Sequence, residues 1–161
     1  MCKFDNVLLI DCDLPYFDYL DKVLYKINND YDLICINRRS KESVLINTSL
    51  SSYQKTRFKL GNFLGKLINF FLKIDLEGTD TQAGLKAFKI DDEFKKLNFF
   101  SKKYFFDLEL VYHYIKNEKK ILSLPVRYEI SNESNIQIFS LKNFYILYKF
   151  FKIIFILKFF S

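Results

Sequence analysis

The sequence is short of the residues that usually punctuate or cross-link a chain. Its 161 residues include 4 glycines, 2 prolines, no tryptophan and a single histidine, His113. The three cysteines, Cys2, Cys12 and Cys35, are odd in number, and two of them lie in apolar strand-like runs. This pattern argues against a disulfide framework or a thiolate metal site and predicts buried, reduced thiols in a cytosolic setting. His113 lacks metal-ligand neighbours, so we expect a surface or packing role.

The amino terminus also lacks the basic stretch and apolar core of a signal peptide, so nothing in residues 1–6 directs export. Acidic residues are scarce between residues 38 and 66, where seven Lys or Arg residues are accompanied only by Glu42. That local excess equals the net charge of the whole chain, +6. It indicates a phosphate-bearing partner (a nucleotide, a lipid headgroup or a nucleic acid) or else a solvated helix face.

Half of the residues are hydrophobic, which is enough for one domain to bury a core. Residues 7–10 are a continuous apolar run, typical of a strand buried on both faces in a parallel α/β sheet, and residues 32–36 are predicted to form a second strand of this type. Residues 17–27 between them have helical spacing, so a βαβ unit is predicted. Downstream we expect one or two helices over residues 49–74 (ended by Gly78) and further helices over residues 91–97 and 104–115. Strands are expected over residues 84–88 and 121–130, and Pro125 in the last of these indicates an edge or a bulge.

Residues 141–160 are nearly all aromatic or aliphatic, with Lys142, Lys149, Lys152 and Lys158 among them. Four lysines make a transmembrane span costly, since a span needs about twenty apolar residues. The first three lysines fall on one side of a helix, which predicts an amphipathic helix in the membrane interface. A hydrophobic helix packed on the domain is the alternative. We therefore divide the chain into a domain at residues 1–140 and a membrane-associating helix at residues 141–161.

Two carboxylates follow the first predicted strand. Asp11 and Asp13 lie at the carboxyl edge of the sheet, where open α/β folds bind ligands. Because alternate strand residues point the same way, both can face one divalent cation. Mg²⁺ typically binds one or two carboxylates together with phosphate oxygens, and it stabilises a diphosphate leaving group. The spacing predicts a Mg²⁺ or Mn²⁺ site, although this short pattern is common by chance.

Several segments, in order, resemble family-two glycosyltransferases, which have the GT-A fold. Residues 7–16 (VLLIDCDLPY) resemble that family's strand and DxD motif, and residues 32–38 (DLICINR) resemble its strand ending in Gly-Ser-Arg. Residues 80–86 (DTQAGLK) are similar to the Asp-Thr-Gln-x-Gly-Phe-Lys segment of the dolichyl-phosphate glucosyltransferase branch. Residues 106–110 (FDLEL) and 125–135 resemble the Phe-Asp-x-Glu-Leu helix and the region leading to the Glu-Gly-Ser-Lys loop. The resemblance implies an α/β, Rossmann-like GT-A sheet with flanking helices.

The same resemblance implies an inverting, metal-dependent sugar transfer from a nucleotide sugar to a polyprenyl phosphate at the cytoplasmic face of a membrane. It implies that Asp11 and Asp13 hold the metal and the diphosphate. Arg38 would meet phosphate oxygens, for which a guanidinium fork is suited. The remaining residues expected to bind the nucleotide sugar are Gln82 and Arg127.

Two acidic residues are the catalytic candidates. Asp80, in the segment that resembles the family's acceptor loop, is expected to position or deprotonate the acceptor. Asp107 and Glu109 are two residues apart on a predicted helix, so only one can point into a site. We choose Glu109, with a helix-surface position as the alternative.

Three features depart from the family pattern. The first strands of the family fold, which hold the base and ribose, are expected to be missing because Met1 lies six residues before the DxD strand. Ile36 stands where Gly is usual, and Asn135 replaces the terminal Lys of the late loop. We therefore expect the C-terminal half of a GT-A domain, which needs a partner protein that supplies the N-terminal half.

Two other functions remain open at this stage. The chain is alternatively a non-catalytic membrane-surface protein or a degenerate glycosyltransferase remnant, which would use the basic stretch and the C-terminal helix to bind anionic lipid. A nucleic-acid partner is not expected, because no aromatic-basic interleaving or known binding motif accompanies the basic stretch.

Overall fold

The computed structural model describes residues 5–14, 16–46, 50–73, 80–101, 105–130 and 141–160, excepting the side chains of residues 57, 141–144 and 160. This part of the chain has a mixed α/β fold, so the expected class is confirmed. Its strands are β1 (Asn6–Ile10), β2 (Leu33–Asn37), β3 (Val44–Leu45), β4 (Leu85–Lys89), β5 (Ile121–Pro125) and β6 (Arg127–Tyr128). Its helices are α1 (Leu20–Asn29, after a 3-10 turn at Phe17–Tyr19), α2 (Ser52–Leu72), α3 (Asp92–Lys95), α4 (Phe106–Lys116) and α5 (Leu141–Phe160).

The main sheet has the strand order β1-β4-β2-β5. Strand β4 is antiparallel to both of its neighbours, and β2 and β5 are parallel. The sheet is therefore mixed, and the prediction of a parallel sheet was wrong. Strands β1 and β2 run in the same direction with α1 between them, as a βαβ unit requires, but β4 lies between them. A strand far along the chain supplies this insertion, which local patterns could not reveal.

Strand β1 lies at one edge of the described sheet. Among the described residues it pairs only with β4. None of its residues is buried, whereas all five residues of β2 are buried. Both runs are equally apolar, so the prediction that β1 is buried on both faces was wrong because composition does not encode a strand's place in the sheet. Within the described ranges the outer edge of β1 is unpaired, and an apolar edge of this kind is a template for pairing with another strand.

Strand β5 forms the other edge of the sheet, as Pro125 indicated. The chain then continues directly into β6, which pairs in parallel with β3 in a separate two-stranded sheet. Each of these strands has only two residues, too few for any periodicity to appear in the sequence. The small sheet brings Tyr128 beside the loop that follows β2, where the candidate site lies.

The long helix α2 begins with a capping box. The Ser51 hydroxyl accepts a hydrogen bond from the Gln54 backbone N–H, and the Gln54 side chain accepts one from the Ser51 backbone N–H. The helix ends at Leu72, where Lys73 takes a left-handed conformation with φ 51°. Gly78, the predicted end, lies outside the described residues.

Helix α5 packs on the domain through residues spaced one helical turn apart. Its buried side chains, Phe150, Ile153, Ile154 and Leu157, meet Ile68 and Leu72 of α2 and Leu108 of α4 in one hydrophobic cluster. The opposite side of α5 exposes Tyr148, Phe151, Phe155 and Phe159. The described part of α5 thus packs on the domain, as the alternative interpretation expected, and its outward side carries both aromatic rings and lysines. Within the described residues, no helix combines the length and hydrophobicity required of a membrane span.

Candidate functional site

The two aspartates of the DxD segment lie in a turn. Strand β1 ends at Ile10, and the Leu14 N–H donates a 2.9 Å hydrogen bond to the Asp11 carbonyl. The Asp11 N–H donates a 2.8 Å bond to the carbonyl of Gly84, just before β4. The strand alternation invoked for Asp11 and Asp13 therefore does not apply, because neither residue belongs to the strand. Both are exposed.

These aspartates fit a cation that is shared with a ligand. No group of three or more His, Cys, Asp or Glu residues suited to a metal occurs in the described ranges. Asp11 and Asp13 could therefore supply two carboxylates, and phosphate or water oxygens would complete the shell, as Mg²⁺ usually requires. The donor set suits a metal bound jointly with a diphosphate.

A pocket of about 380 Å³ opens beside Asp11. Leu9 and Lys86 are direct cross-strand partners in β1 and β4, so they lie on the same face of the sheet. Helix α4 covers this face with its first turn. Three segments that are remote in sequence therefore meet around one cavity, which is lined by Leu9, Asp11, Gln82, Ala83, Gly84, Lys86, Phe106 and Asp107.

Lys86 and Asp107 form an ion pair in this pocket. The Lys86 side chain is only 2% exposed, and its Nζ lies 2.9 Å from Oδ1 of Asp107. Nζ also donates a 2.6 Å hydrogen bond to the Ala83 carbonyl. A buried lysine needs such compensation, since an unpaired charge in the interior is costly. The sequence analysis missed Lys86, although a lysine between the apolar residues of a predicted strand was a usable signal.

A second ion pair joins Arg38 to Asp80. Arg38 Nη2 donates a 2.9 Å hydrogen bond to Asp80 Oδ1, and Nε donates to Oδ2. The Asp80 side chain is fully buried, while that of Arg38 is 34% exposed. Burial alone would raise the pKa of Asp80, but the hydrogen bonds and charge of Arg38 hold that pKa below its ordinary value. Asp80 therefore stays ionised and is a weak base.

Further side chains surround this pair. Tyr16, just after the DxD turn, forms a hydrogen bond with Arg38, and burial raises the pKa of the Tyr16 hydroxyl. The neighbouring Arg39 packs over α2 at Gly65, where an added Cβ would lie 2.3 Å from Arg39 Nη1. Desolvation lowers the pKa of Arg39. Both arginines therefore lie within electrostatic reach of the Asp80 carboxylate.

The loop after β2 is fixed by buried polar contacts. Asn37 Nδ2 donates a 2.8 Å hydrogen bond to Ser123 Oγ, and Asn37 Oδ1 accepts a 2.8 Å bond from the Arg39 N–H. Ser43 Oγ donates to the Asn37 carbonyl and accepts a 3.0 Å bond from the Val126 N–H. These contacts hold the backbone that carries both arginines.

Glu109 lies away from the pocket lining. It is buried, and its carboxylate accepts hydrogen bonds of 3.1 and 3.0 Å from the N–H groups of Phe100 and Ser101. Burial raises the pKa of Glu109 despite these bonds. These contacts suit a structural role for Glu109. The acidic residue of α4 that lines the pocket is Asp107.

The other predicted residues are divided between the surface and the pocket. Arg127 is exposed, and its backbone N–H donates a 2.8 Å hydrogen bond to the Tyr19 hydroxyl. It belongs neither to the pocket lining nor to the Arg38–Asp80 pair, whereas Gln82 lines the pocket. Cys35 is buried, as predicted, and burial raises the pKa of its thiol to about 12. Cys12 is exposed in the DxD turn, so the prediction of burial was wrong for it.

Among known proteins, no family model matches the sequence, and no curated protein does so. The site is therefore interpreted from its own chemistry: a carboxylate turn, a pocket containing a buried ion pair, and an arginine fixed by Asp80.

His113 gives a test of the packing around α4. Its imidazole is buried beside Phe99. The pKa of His113 is lowered, mainly by burial and to a smaller extent by the positive charge of Lys116. In the unfolded chain His113 has its ordinary pKa of about 6.5, whereas in the folded chain its pKa is lower. The free energy of unfolding is therefore retained above that pH and falls as the pH drops from the unfolded towards the folded pKa of His113. We expect the urea midpoint to decrease between about pH 7 and pH 5.5. His113→Phe, which lacks the titrating group, should show a smaller decrease, and equal decreases would contradict this assignment.

Proposed function

We propose that the chain is the metal-binding and acceptor-binding half of a GT-A glycosyltransferase, a hexosyltransferase that transfers a sugar from a nucleotide sugar to a polyprenyl phosphate. One observation carries the proposal. Segments singled out for their resemblance meet in space: Asp11, Gln82 and Asp107 line one pocket, and Arg38 binds Asp80. Secondary-structure propensity and core packing would not by themselves bring the polar side chains of these segments together.

The proposed roles follow from charge and exposure. Asp11 and Asp13 would hold Mg²⁺ or Mn²⁺ together with the diphosphate, and such a cation would supply charge stabilisation for the leaving group. The Arg38 side chain is 34% exposed while Asp80 fixes its orientation, so we propose that N–H groups not engaged by Asp80 contact a phosphate. Asp80 is therefore proposed as a positioning residue instead of a base. A phosphate acceptor is already anionic and needs no strong base.

Asp107 takes the place that the sequence analysis gave to Glu109. It lines the pocket, and its carboxylate is only partly exposed and ion-paired to Lys86. A carboxylate held by a lysine in this way can accept hydrogen bonds from sugar hydroxyls while its own charge is balanced. We propose that the Lys86–Asp107 pair contacts the transferred sugar or the acceptor.

The open edge of β1 supports the need for a partner. An exposed apolar strand edge is a template for pairing, and an added strand there would adjoin the DxD turn. A polypeptide that completes the sheet at β1 is thus placed to supply further donor contacts beside Asp11. Donor binding by the isolated chain should consequently be weak.

The first test measures nucleotide binding. We expect UDP or GDP to bind in calorimetry only when Mg²⁺ or Mn²⁺ is present, and Asp13→Ala and Asp11→Asn to abolish the metal-dependent heat, because the carboxylates supply the protein ligands of the cation. Asp18→Asn, which removes an exposed charge from the neighbouring 3-10 turn, should bind as the parent protein does. Binding that is metal-independent and unchanged in Asp13→Ala would refute the assignment.

The same titrations address the second candidate function, a non-catalytic membrane-surface protein. That function is favoured by the exposed aromatic side of α5 and requires no nucleotide site. It predicts no metal-dependent heat with either nucleotide in any variant, even when the β1 edge is supplied with a partner chain.

A further inference from the structure

Two residues at the DxD turn have an unusual backbone conformation. Leu14 and Tyr16 have φ values of 48° and 65°, in the left-handed region that bulky side chains rarely adopt. Within the described ranges, the other non-glycine residues of this kind are Lys73 and Glu118, which follow the last turns of α2 and α4. A left-handed residue is ordinary at a helix end. Leu14 and Tyr16 instead lie between β1 and the 3-10 turn, so a helix end does not explain their conformation.

A left-handed backbone at a residue with a large side chain costs free energy, so other contacts have to stabilise it. Such strained residues are concentrated at sites that bind ligands. The Leu14 side chain is 53% exposed, so its own burial contributes little to holding the turn. The conformation of the turn therefore needs support from a neighbouring residue, and Tyr16 is placed to give it.

Tyr16 is held by three contacts. Its ring packs against the hydrophobic cluster that α1 forms with the main sheet, and its carbonyl accepts a 2.9 Å hydrogen bond from the Tyr19 N–H. Its hydroxyl shares a hydrogen bond with Arg38, whose guanidinium can only donate. Arg38 is itself fixed by the buried carboxylate of Asp80. A residue three positions after Asp13 is thus tied to a fixed part of the loop that follows β2.

We propose that Tyr16 is a positioning residue for the cation site: through Arg38 it holds the DxD turn in its left-handed conformation, which presents the two aspartates of the turn to a divalent cation. The inference rests on the proposed metal site and adds a residue that does not itself bind the metal. It also gives Arg38 a second role, in which the guanidinium fixes the turn. A turn that is ordered before the cation binds loses less conformational entropy on binding, so cation affinity should depend on Tyr16.

The first measurement follows the turn in the absence of metal. The Leu14 N–H donates to the Asp11 carbonyl, so its hydrogen exchange reports how often the turn opens. Tyr16→Phe keeps the ring but loses a hydrogen bond from a charged donor, so exchange at Leu14 should be about tenfold faster. Tyr19→Phe is the matched control. It also loses a hydroxyl that accepts a hydrogen bond, from the Arg127 N–H, and should leave exchange at Leu14 unchanged.

The second measurement is the affinity for Mn²⁺ alone, obtained from the electron paramagnetic resonance signal of the free ion. Tyr16→Phe should bind Mn²⁺ about tenfold more weakly, whereas Tyr19→Phe should bind it as the parent protein does. Leu14→Gly/Tyr16→Phe should regain most of the lost affinity, because glycine adopts the left-handed conformation without the cost that leucine has. Glycine at residue 14 could not replace a hydroxyl that bound the metal itself, so this rescue separates positioning from ligation.

Three results would overturn the inference. Parent-like exchange at Leu14 in Tyr16→Phe would show that the hydroxyl does not hold the turn, and equal acceleration in Tyr19→Phe would show that the Arg38 contact is not the cause. Faster exchange with unchanged Mn²⁺ affinity would show that the conformation of the turn does not control the cation site. A parent protein that binds no Mn²⁺ would refute the proposed metal site and with it the role of Tyr16 toward the cation, whereas the exchange data would still decide whether Tyr16 holds the turn.

Discussion

Arg38→Ala is expected to lower the free energy of unfolding by about 3–5 kcal/mol, one of the two largest effects that we predict. The substitution leaves the fully buried carboxylate of Asp80 without its bidentate partner. Asp80→Ala should cost less, because Arg38 is partly exposed and its charge can be solvated. Urea denaturation of the two variants at neutral pH would measure both values and their order.

The exposed Lys26–Asp30 pair provides the control. These residues are also joined by an ion pair, at 3.5 Å on the surface of α1. Surface pairs contribute about 0–1 kcal/mol, so Lys26→Ala should have little effect. A loss in Arg38→Ala no greater than that in Lys26→Ala would show that the Arg38–Asp80 contact does not form. In the double variant Arg38→Ala/Asp80→Ala, the loss should be smaller than the sum of the single losses.

Leu157→Ala is expected to lower the free energy of unfolding by about 2–5 kcal/mol. Leu157 is fully buried where α5 meets α2 and α4, and truncation would leave a cavity among close-packed side chains. Phe155, two residues earlier, is 56% exposed, so Phe155→Ala in the absence of lipid should change stability by no more than about 0.5 kcal/mol. Chemical denaturation separates these outcomes, and equal effects would show that α5 is not docked as described.

This packing also changes how the membrane contact has to be tested. The membrane-associating helix predicted from the sequence could be tested by removing residues 141–161. The structure shows that it would also uncover Ile68, Leu72 and Leu108, and so create a new apolar surface. Point substitutions on the outward side of the helices preserve the core and isolate the contact.

Local patterns predicted the elements well because their signals are local. Strand β2 and helix α4 were predicted from the apolar run before Asn37 and the helical spacing before Lys116, because each pattern arises within a single element that buries its apolar residues. Both elements lie within a few residues of their predicted bounds. Strand order was not predictable in this way. The insertion of β4 between β1 and β2 depends on pairings between residues about fifty to eighty apart, which no window along the chain can contain.

The candidate site was predicted in part for the same reason. Asp11, Gln82, Arg38 and Asp80 were identified from segment resemblance, but the partnership of Arg38 with Asp80 depends on the three-dimensional arrangement. Lys86 was missed because its role depends on two contacts in the folded structure, the cross-strand position opposite Leu9 and the ion pair with Asp107. Neither contact can be read from the sequence around Lys86. Glu109 was chosen over Asp107 because helix spacing shows only that two residues diverge. It does not show which of them faces a cavity.

The two edges of the main sheet differ in whether the sheet can be extended. At β5 the strand ends in Pro125, which has no N–H to donate, and the chain turns away immediately into β6. At β1 every residue retains an N–H, and the described strands leave its outer side unpaired. Within the described residues, an incoming strand could join there without displacing a strand that already pairs with β1. The described part of the sheet can therefore accept a further strand beside β1 more readily than beside β5.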